Sequence, residues 1–239
     1  MKNTSWEQES VIGFYQEQVI LPNLLRLVYP KAGEVILDIG AGEGYFAKAF
    51  AKSGAEVIGV EISKKLVERA KKTAGKNEKY FAGSADDLTF LKSGLADKAM
   101  IILAIQNFDN VHAVFAEAKR VLKPGGKLII VMNHPAFRIP KHSSWEWDFK
   151  KKTQHRRIDE YLTESKARIE MRPSEPGNQT ISFHRPLQFY FKLLGNNGFA
   201  VTRLEEWISP RTSAGPRAEA ENKARREIPL FLYLECAKI

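Results

Sequence analysis

The run Val35-Ile-Leu-Asp38-Ile-Gly40-Ala-Gly42-Glu-Gly44-Tyr-Phe constrains the fold of this chain more than any other stretch. An apolar strand ends at an acid, three glycines follow at alternate positions, and a helical pattern begins. A strand-to-helix turn without side chains at 40, 42 and 44 lets a ligand lie on the backbone amides. Asp38 narrows the ligand: a carboxylate there repels a pyrophosphate and welcomes a cation such as an amino group. A second acid, Glu61, closes the run Glu56-Val-Ile-Gly-Val-Glu61-Ile-Ser63, 19 residues beyond Gly42. At the end of a second parallel strand it can accept both hydroxyls of a ribose, so the pair of motifs reads as a nucleoside-cofactor site.

Strands and helices alternate around this pair. Expected strands are Glu34–Ile39, Glu56–Val60, Lys79–Ala82, Ala99–Ala104 and Lys127–Met132, separated by helices at Tyr45–Lys52, Lys64–Thr73 and Val111–Val121. That rhythm predicts a parallel sheet with crossover helices on both faces. Lys123-Pro-Gly-Gly126 is the turn into the fifth strand. Before the sheet, apolar residues at Val11, Phe14, Tyr15, Val19, Leu24, Leu25 and Val28 suggest two short helices divided at Pro22, a lid over residues 1–32. From His134 to Arg185 the alternation breaks, which reads as a cap inserted above the sheet, with a hairpin from Ala167–Met171 and Thr180–Phe183 around the loop Pro173–Asn178. A helix from Pro186 to Asn196, a strand at Ala200–Leu204, a helix at Ala218–Glu227 and a strand at Leu230–Ala237 close the chain.

The 239 residues suit one α/β domain with insertions, and the formal charge is +9. One cysteine, Cys236, excludes an internal disulfide and a thiolate zinc cluster; it reads as a packed strand residue, and no metal is expected. No stretch reaches the ~18 apolar residues of a membrane span, and no signal core opens the chain, so a cytoplasmic protein is expected.

Asp-x-Gly-x-Gly-x-Gly resembles the first motif of the class I S-adenosylmethionine (SAM) methyltransferases. Residues 1–135 resemble that superfamily, in the manner of the group holding the ubiquinone and menaquinone C-methyltransferases. The stretches Asn133–Pro140, Ser143–Trp147, Phe183–Leu187 and Glu205–Ser209 resemble a prokaryotic subgroup of it. The resemblance implies a Rossmann-like seven-stranded sheet closed by an antiparallel pair, SAM as cofactor and S-adenosylhomocysteine (SAH) as product. It implies the methionine moiety over Asp38, Gly40 and Gly42, with Gly44 also in the cofactor-binding turn, ribose on Glu61, and adenine near Ile62, Ser84 and Ala85. Asp86 is an alternative to Ser84 for one hydrogen bond to adenine, and Asp87 is either a third or a cap.

Leu103-Ala104-Ile-Gln106-Asn107-Phe108 is expected to border the transferred methyl, where small residues leave room for collinear attack. Gln106 and Asn107 either orient an acceptor or satisfy loop backbone. Asn133-His134-Pro135-Ala-Phe137 resembles the tetrad of amine methyltransferases but follows the fifth strand instead of the fourth. What it leaves is a histidine at the carboxyl edge; His134 and His184 are the candidate general bases. Tyr15, Asn133 and Arg185 are candidate substrate contacts, Arg185 as an anion clamp. The run Phe149-Lys-Lys-Lys-Thr-Gln-His155-Arg-Arg157, preceded by Trp145 and Trp147, is either an RNA-binding surface or a hydrated loop diluted by Glu146, Asp148, Asp159 and Glu160. The sequence therefore predicts a methyltransferase, monomer or homodimer, acting on a small or medium-sized acceptor. RNA methylation and a non-catalytic SAM-binding regulator are the alternatives.

Overall fold

The computed structural model describes residues 12–170 and 179–239. Val11, the rest of the lid before it, Met171 and the loop Pro173–Asn178 lie outside the described residues. The chain begins with α1 (Ile12–Tyr15), a π-helical turn (Gln16–Ile20) and α2 (Leu21–Val28). Then follow β1 (Val35–Ile39), α3 (Tyr45–Ala51), β2 (Glu56–Glu61), α4 (Lys64–Lys72), β3 (Glu78–Ala82), β4 (Ala96–Ile102), a 3-10 turn (Ile105–Asn107), α5 (Val111–Val121) and β5 (Leu122–Asn133). The cap is β6 (Ser143–Asp148), β7 (Thr153–Ile158), β8 (Ser165–Glu170) and β9 (Gln179–His184), and α6 (Leu187–Asn196), β10 (Phe199–Trp207), α7 (Ala218–Glu227) and β11 (Phe231–Lys238) complete the fold.

Seven strands form one sheet in the order β10-β11-β5-β4-β1-β2-β3. β1 to β5 are mutually parallel, and β11 runs antiparallel between β5 and β10. Strand alternation builds a core on each face. Ile36, Met100, Ile102, Ile129, Val131 and Tyr233 pack with α2, α3 and α4, whereas Leu37, Ala99, Ile101, Ile130 and Leu234 pack with α5 and α6. Each fully buried side chain such as Phe50 or Phe115 contributes roughly 2–3 kcal/mol of hydrophobic stabilisation. Cys236 is one of these core residues, its thiol pushed up to about 12 by burial.

Four local expectations are corrected. The N-terminal helices are contiguous: Pro22 sits in the first turn of α2, where its missing N–H costs nothing, and the π-helical turn absorbs the junction. The fourth strand stops at Ile102 because Leu103 takes φ +54° and turns the chain out of the sheet. Lys123-Pro-Gly-Gly126 is a bulge inside β5, since Leu122 pairs with Ala96 and pairing resumes with Lys127 on Lys98. Residues 143–158 form a hairpin rather than a loop, with Trp145 opposite Arg156 and Trp147 opposite Gln154.

Candidate active site

The strand order reverses between β1 and β4, and such a switch point leaves a crevice at the carboxyl ends of the strands. There the three glycines of the turn do different work. A Cβ at Gly40 would come within 2.6 Å of the Ala104 Cβ, and one at Gly44 would overlap the Tyr80 hydroxyl. A Cβ at Gly42 would meet nothing within 4 Å. All three have positive φ. Gly40 and Gly44 thus allow the turn to pack against its neighbours, and Gly42 alone presents open backbone to a ligand.

Asp38 is 2 % exposed, and burial, reinforced by Glu61, pushes its carboxyl up to about 7. Its Oδ2 is buried without a hydrogen-bond partner among the described residues, as are Gln106 Oε1 and Asn107 Oδ1. Gln106 and Asn107, in the 3-10 turn after β4, line the crevice, and their orphaned acceptors suit a ligand that brings N–H donors or positive charge. Glu61 accepts from the backbone N–H of Gly42 at 3.1 Å and of Ser63 at 3.0 Å, which fixes both oxygens at the crevice and leaves each a lone pair. Ile62 stands 74 % exposed in the same wall as Ser84 and Ala85, an apolar face open to a flat ring. The Ser84 hydroxyl donates to Asp86, so these two residues act as one polar unit. Asp87 caps a turn, accepting from Thr89 N and Oγ1. Glu117, which also receives Leu88 N–H, and Arg120 hold this segment on α5.

One cavity of about 1520 Å³ extends from Gly42, Glu61 and Ser84, past Leu103, Gln106 and Asn107, to Asn133 and the cap. Tyr15 closes its N-terminal side, its hydroxyl 3.2 Å from Ser209 Oγ and its ring edge-on to Phe231. Gln106 donates to the Leu103 carbonyl at 2.7 Å, which supports the turn after β4.

The two histidines are placed differently. His134 has both ring nitrogens engaged: Nδ1 accepts from Ala136 N–H at 3.2 Å, so Nε2 carries the proton to Glu206 at 2.7 Å. Burial lowers its pKa despite Glu206, and its ring packs on Phe137. It locks the turn after β5, where the Arg138 N–H returns to its carbonyl at 2.8 Å. His184 donates Nε2–H to the Tyr161 carbonyl at 2.8 Å and borders a side pocket of about 40 Å³. That pocket shares Gln106, Asn133 and Arg138 with the main cavity. Burial also lowers the His184 pKa.

Arg185 is 5 % exposed, and its guanidinium is engaged within the protein, with Nε 3.8 Å from the Glu164 carboxylate. Its guanidinium donates to the carbonyls of Phe108 at 2.9 Å and Asp109 at 2.8 Å, between the rings of Phe183 and Phe189. It ties the end of β9 to the loop after the 3-10 turn. The basic run lies on β7 and the turn before it. Phe149 is 76 % exposed, and Arg157 pairs with Glu146 and Asp159.

Residues 37–130 match the methyltransferase domain family. A solved SAM-dependent methyltransferase from Mesorhizobium loti shares 26% identity over 90% of this chain and 96% of its own, with a TM-score of 0.72. The fold and the matched segment are those of a class I SAM-dependent methyltransferase. A demethylmenaquinone methyltransferase from Tropheryma whipplei is 29% identical over 127 residues, 52% of this chain and 53% of that protein. A ubiquinone biosynthesis O-methyltransferase from Thiobacillus denitrificans is 33% identical over 100 residues, 41% of this chain and 43% of that one. The chain spans about half the length of these curated relatives. The cofactor this superfamily implies fits the residues present: an ammonium suits the unpartnered Asp38 carboxyl, and a diol suits Glu61, which is bonded to the open backbone of Gly42.

Sequence reasoning missed Tyr80, whose ring packs on Gly44 and Gly59, and the part of the wall built by Phe137, Arg138, Trp145 and Arg156. Tyr80 was visible only as an apolar strand residue. Arg138 was visible as the cation closing Asn133-His-Pro-Ala-Phe-Arg, though nothing local said where it would point.

Proposed function

We propose that this chain transfers a methyl group from SAM to a small or medium-sized acceptor bound beneath the cap. The observation that carries the reading is the single cavity joining Gly42 and Glu61 to the cap. Its 1520 Å³ exceeds the ~300–1,000 Å³ of single-ligand pockets, so it has room for two. A regulator that only bound the cofactor would have no use for the second half.

Bound SAM supplies a methyl group already activated by its sulfonium. Asp38 accepts from the amino group, whose charge returns the carboxyl to its ionised form, and Glu61 accepts from the ribose hydroxyls. Ile62 and Ala85 receive the adenine face, and Ser84 with Asp86 its edge. Leu103 and Ala104 border the reacting centre with apolar surface, so alignment and exclusion of water supply much of the rate. Gln106, Asn133 and Tyr15 line the acceptor side. Of the two histidines, His184 keeps a route to the acceptor through the side pocket: its Nδ1 is the acceptor nitrogen, and its lowered pKa keeps the ring neutral near pH 7. His134 serves as a positioning residue for the turn below the cap.

Calorimetric titration with SAH and, separately, with NAD tests this reading. SAH is expected to bind and NAD to fail, with Glu61→Ala weakening SAH by about tenfold or more, the loss of two charge-assisted hydrogen bonds. Binding of neither ligand to folded, ligand-free protein refutes it.

A further inference from the structure

The two halves of the cavity differ in charge. Acidic wall residues Glu43, Glu61 and Asp86 belong to the β1–β3 side, together with the basic Lys65 and with Arg69, which pairs with Glu43 at 2.6 Å; Asp109 follows the 3-10 turn. From Asn133 onward the described wall holds four arginines, Arg138, Arg156, Arg211 and Arg225, and no aspartate or glutamate. Two of these have structural duties. Arg156 donates to the Phe137 carbonyl at 2.7 Å and Ser143 Oγ at 2.8 Å, and Arg225 donates to Ser213 Oγ and to Asn222 at 3.2 Å. Arg211 lies over the rings of Phe14 and Tyr15.

Arg138 is different. Its guanidinium has no hydrogen-bond or ion-pair partner among the described residues, and the side chain is exposed. It lines both the main cavity and the side pocket. The turn that presents it is held by four bonds: His134 N to the Leu230 carbonyl, Phe137 N and Arg138 N to the His134 carbonyl, and Ala136 N to the His134 ring. An unpaired cation on a hydrogen-bonded turn, in a cavity wall that also holds Phe137 and Trp145, is a receptor for an anion with a flat apolar body.

We infer that the methyl acceptor is an oxyanion, a carboxylate or phosphate on an aromatic or conjugated frame, with its charge held by Arg138 and its frame against Phe137 and Trp145. This rests on the transferase reading, and the test separates the two. The full chain is first saturated with SAH, and failure at that step refutes the transferase reading. It is then titrated by NMR with 1-naphthoate, 1-naphthyl phosphate and the neutral 1-naphthamide.

At least one anion should bind about tenfold or more tightly than the amide, and the tighter of the two names the headgroup. Arg138→Gln should remove that preference while leaving SAH affinity within about twofold, the latter also reporting that the variant is folded. Arg138→Lys should restore part of the preference, and Arg157→Gln, outside the cavity, should keep all of it. Equal binding of all three probes overturns the inference. So does an anion preference that survives in Arg138→Gln. Loss of SAH affinity in a folded Arg138→Gln assigns the cation to the cofactor's own carboxylate, and binding of a short RNA with neither small anion assigns it to a nucleic acid; either result also overturns it.

Discussion

Asp38 stores unfavourable energy in the ligand-free protein. Its folded pKa of about 7 lies above the ordinary 3.8, so the folded state holds a proton that the unfolded state has released between those values. Stability from this group is therefore complete below pH 4, falls as pH rises, and is gone above pH 7. Asp38→Asn should stabilise the ligand-free protein, with an advantage that widens by roughly 2–3 kcal/mol between pH 5 and pH 8, read from urea midpoints. The same variant should weaken SAH, because the orphaned Oδ2 loses the charge that faces the amino group. The glycines give a second residue-scale prediction. Gly42→Ala should weaken SAH by about tenfold or more at a stability cost of ~1 kcal/mol, whereas Gly44→Ala should cost roughly 2–4 kcal/mol through positive φ and overlap with Tyr80. Thermal melts and SAH calorimetry on both variants separate ligand room from packing room. The placement of Asp38 and Glu61 at strand ends and of Gly42 in the turn was legible in the sequence because a turn and a strand end are local objects. The division of labour among the three glycines was not, since it depends on Ala104 and Tyr80, which meet the turn only through tertiary packing.

One polar tie of the cap is Arg185, which joins the end of β9 to the loop after the 3-10 turn; the Asp159 N–H closes the base of the β6–β7 hairpin on the His142 carbonyl at 2.8 Å. Arg185→Met keeps the apolar stem between Phe183 and Phe189 and strands the carbonyls of Phe108 and Asp109. A loss of about 2–4 kcal/mol in urea unfolding is expected, with SAH affinity reduced less than the affinity of any acceptor. Element by element, the β1–α5 half was readable from period-2 and period-3.6 patterns. The hairpin β6–β7 was not, because Ser143-Ser-Trp-Glu-Trp-Asp forms a strand half-buried on both faces, where aromatic and charged residues carry no inside–outside signal. The turn at Leu103, which the sequence places in the fourth strand, escaped notice for another reason: a leucine at φ +54° gives up local preference so that the chain can leave the sheet beside the cofactor crevice.

At the scale of the molecule, ligand linkage offers a direct check. SAH at about 100 times its dissociation constant should stabilise the protein by ~2.7 kcal/mol, a melting shift of roughly 5–10 °C that NAD does not produce. The formal charge of +9 stays compatible with a small acceptor, since the cationic wall of the cavity is a local feature and the hairpin arginine Arg157 is paired. Among the described residues no helix is long and apolar enough to cross a membrane. The position of β11 has a consequence for biosynthesis. It is the last strand in chain order but lies inside the sheet, so the edge of β5 stays unpaired from Asn133 until Phe231 has been added. At ribosomal speed those roughly hundred residues take about 5–20 s, during which a hydrophobic strand edge is open to other nascent chains. The yield of this protein in a cell is thus set by how well that edge is shielded during synthesis, and a slow codon tract between the two strands would lower it.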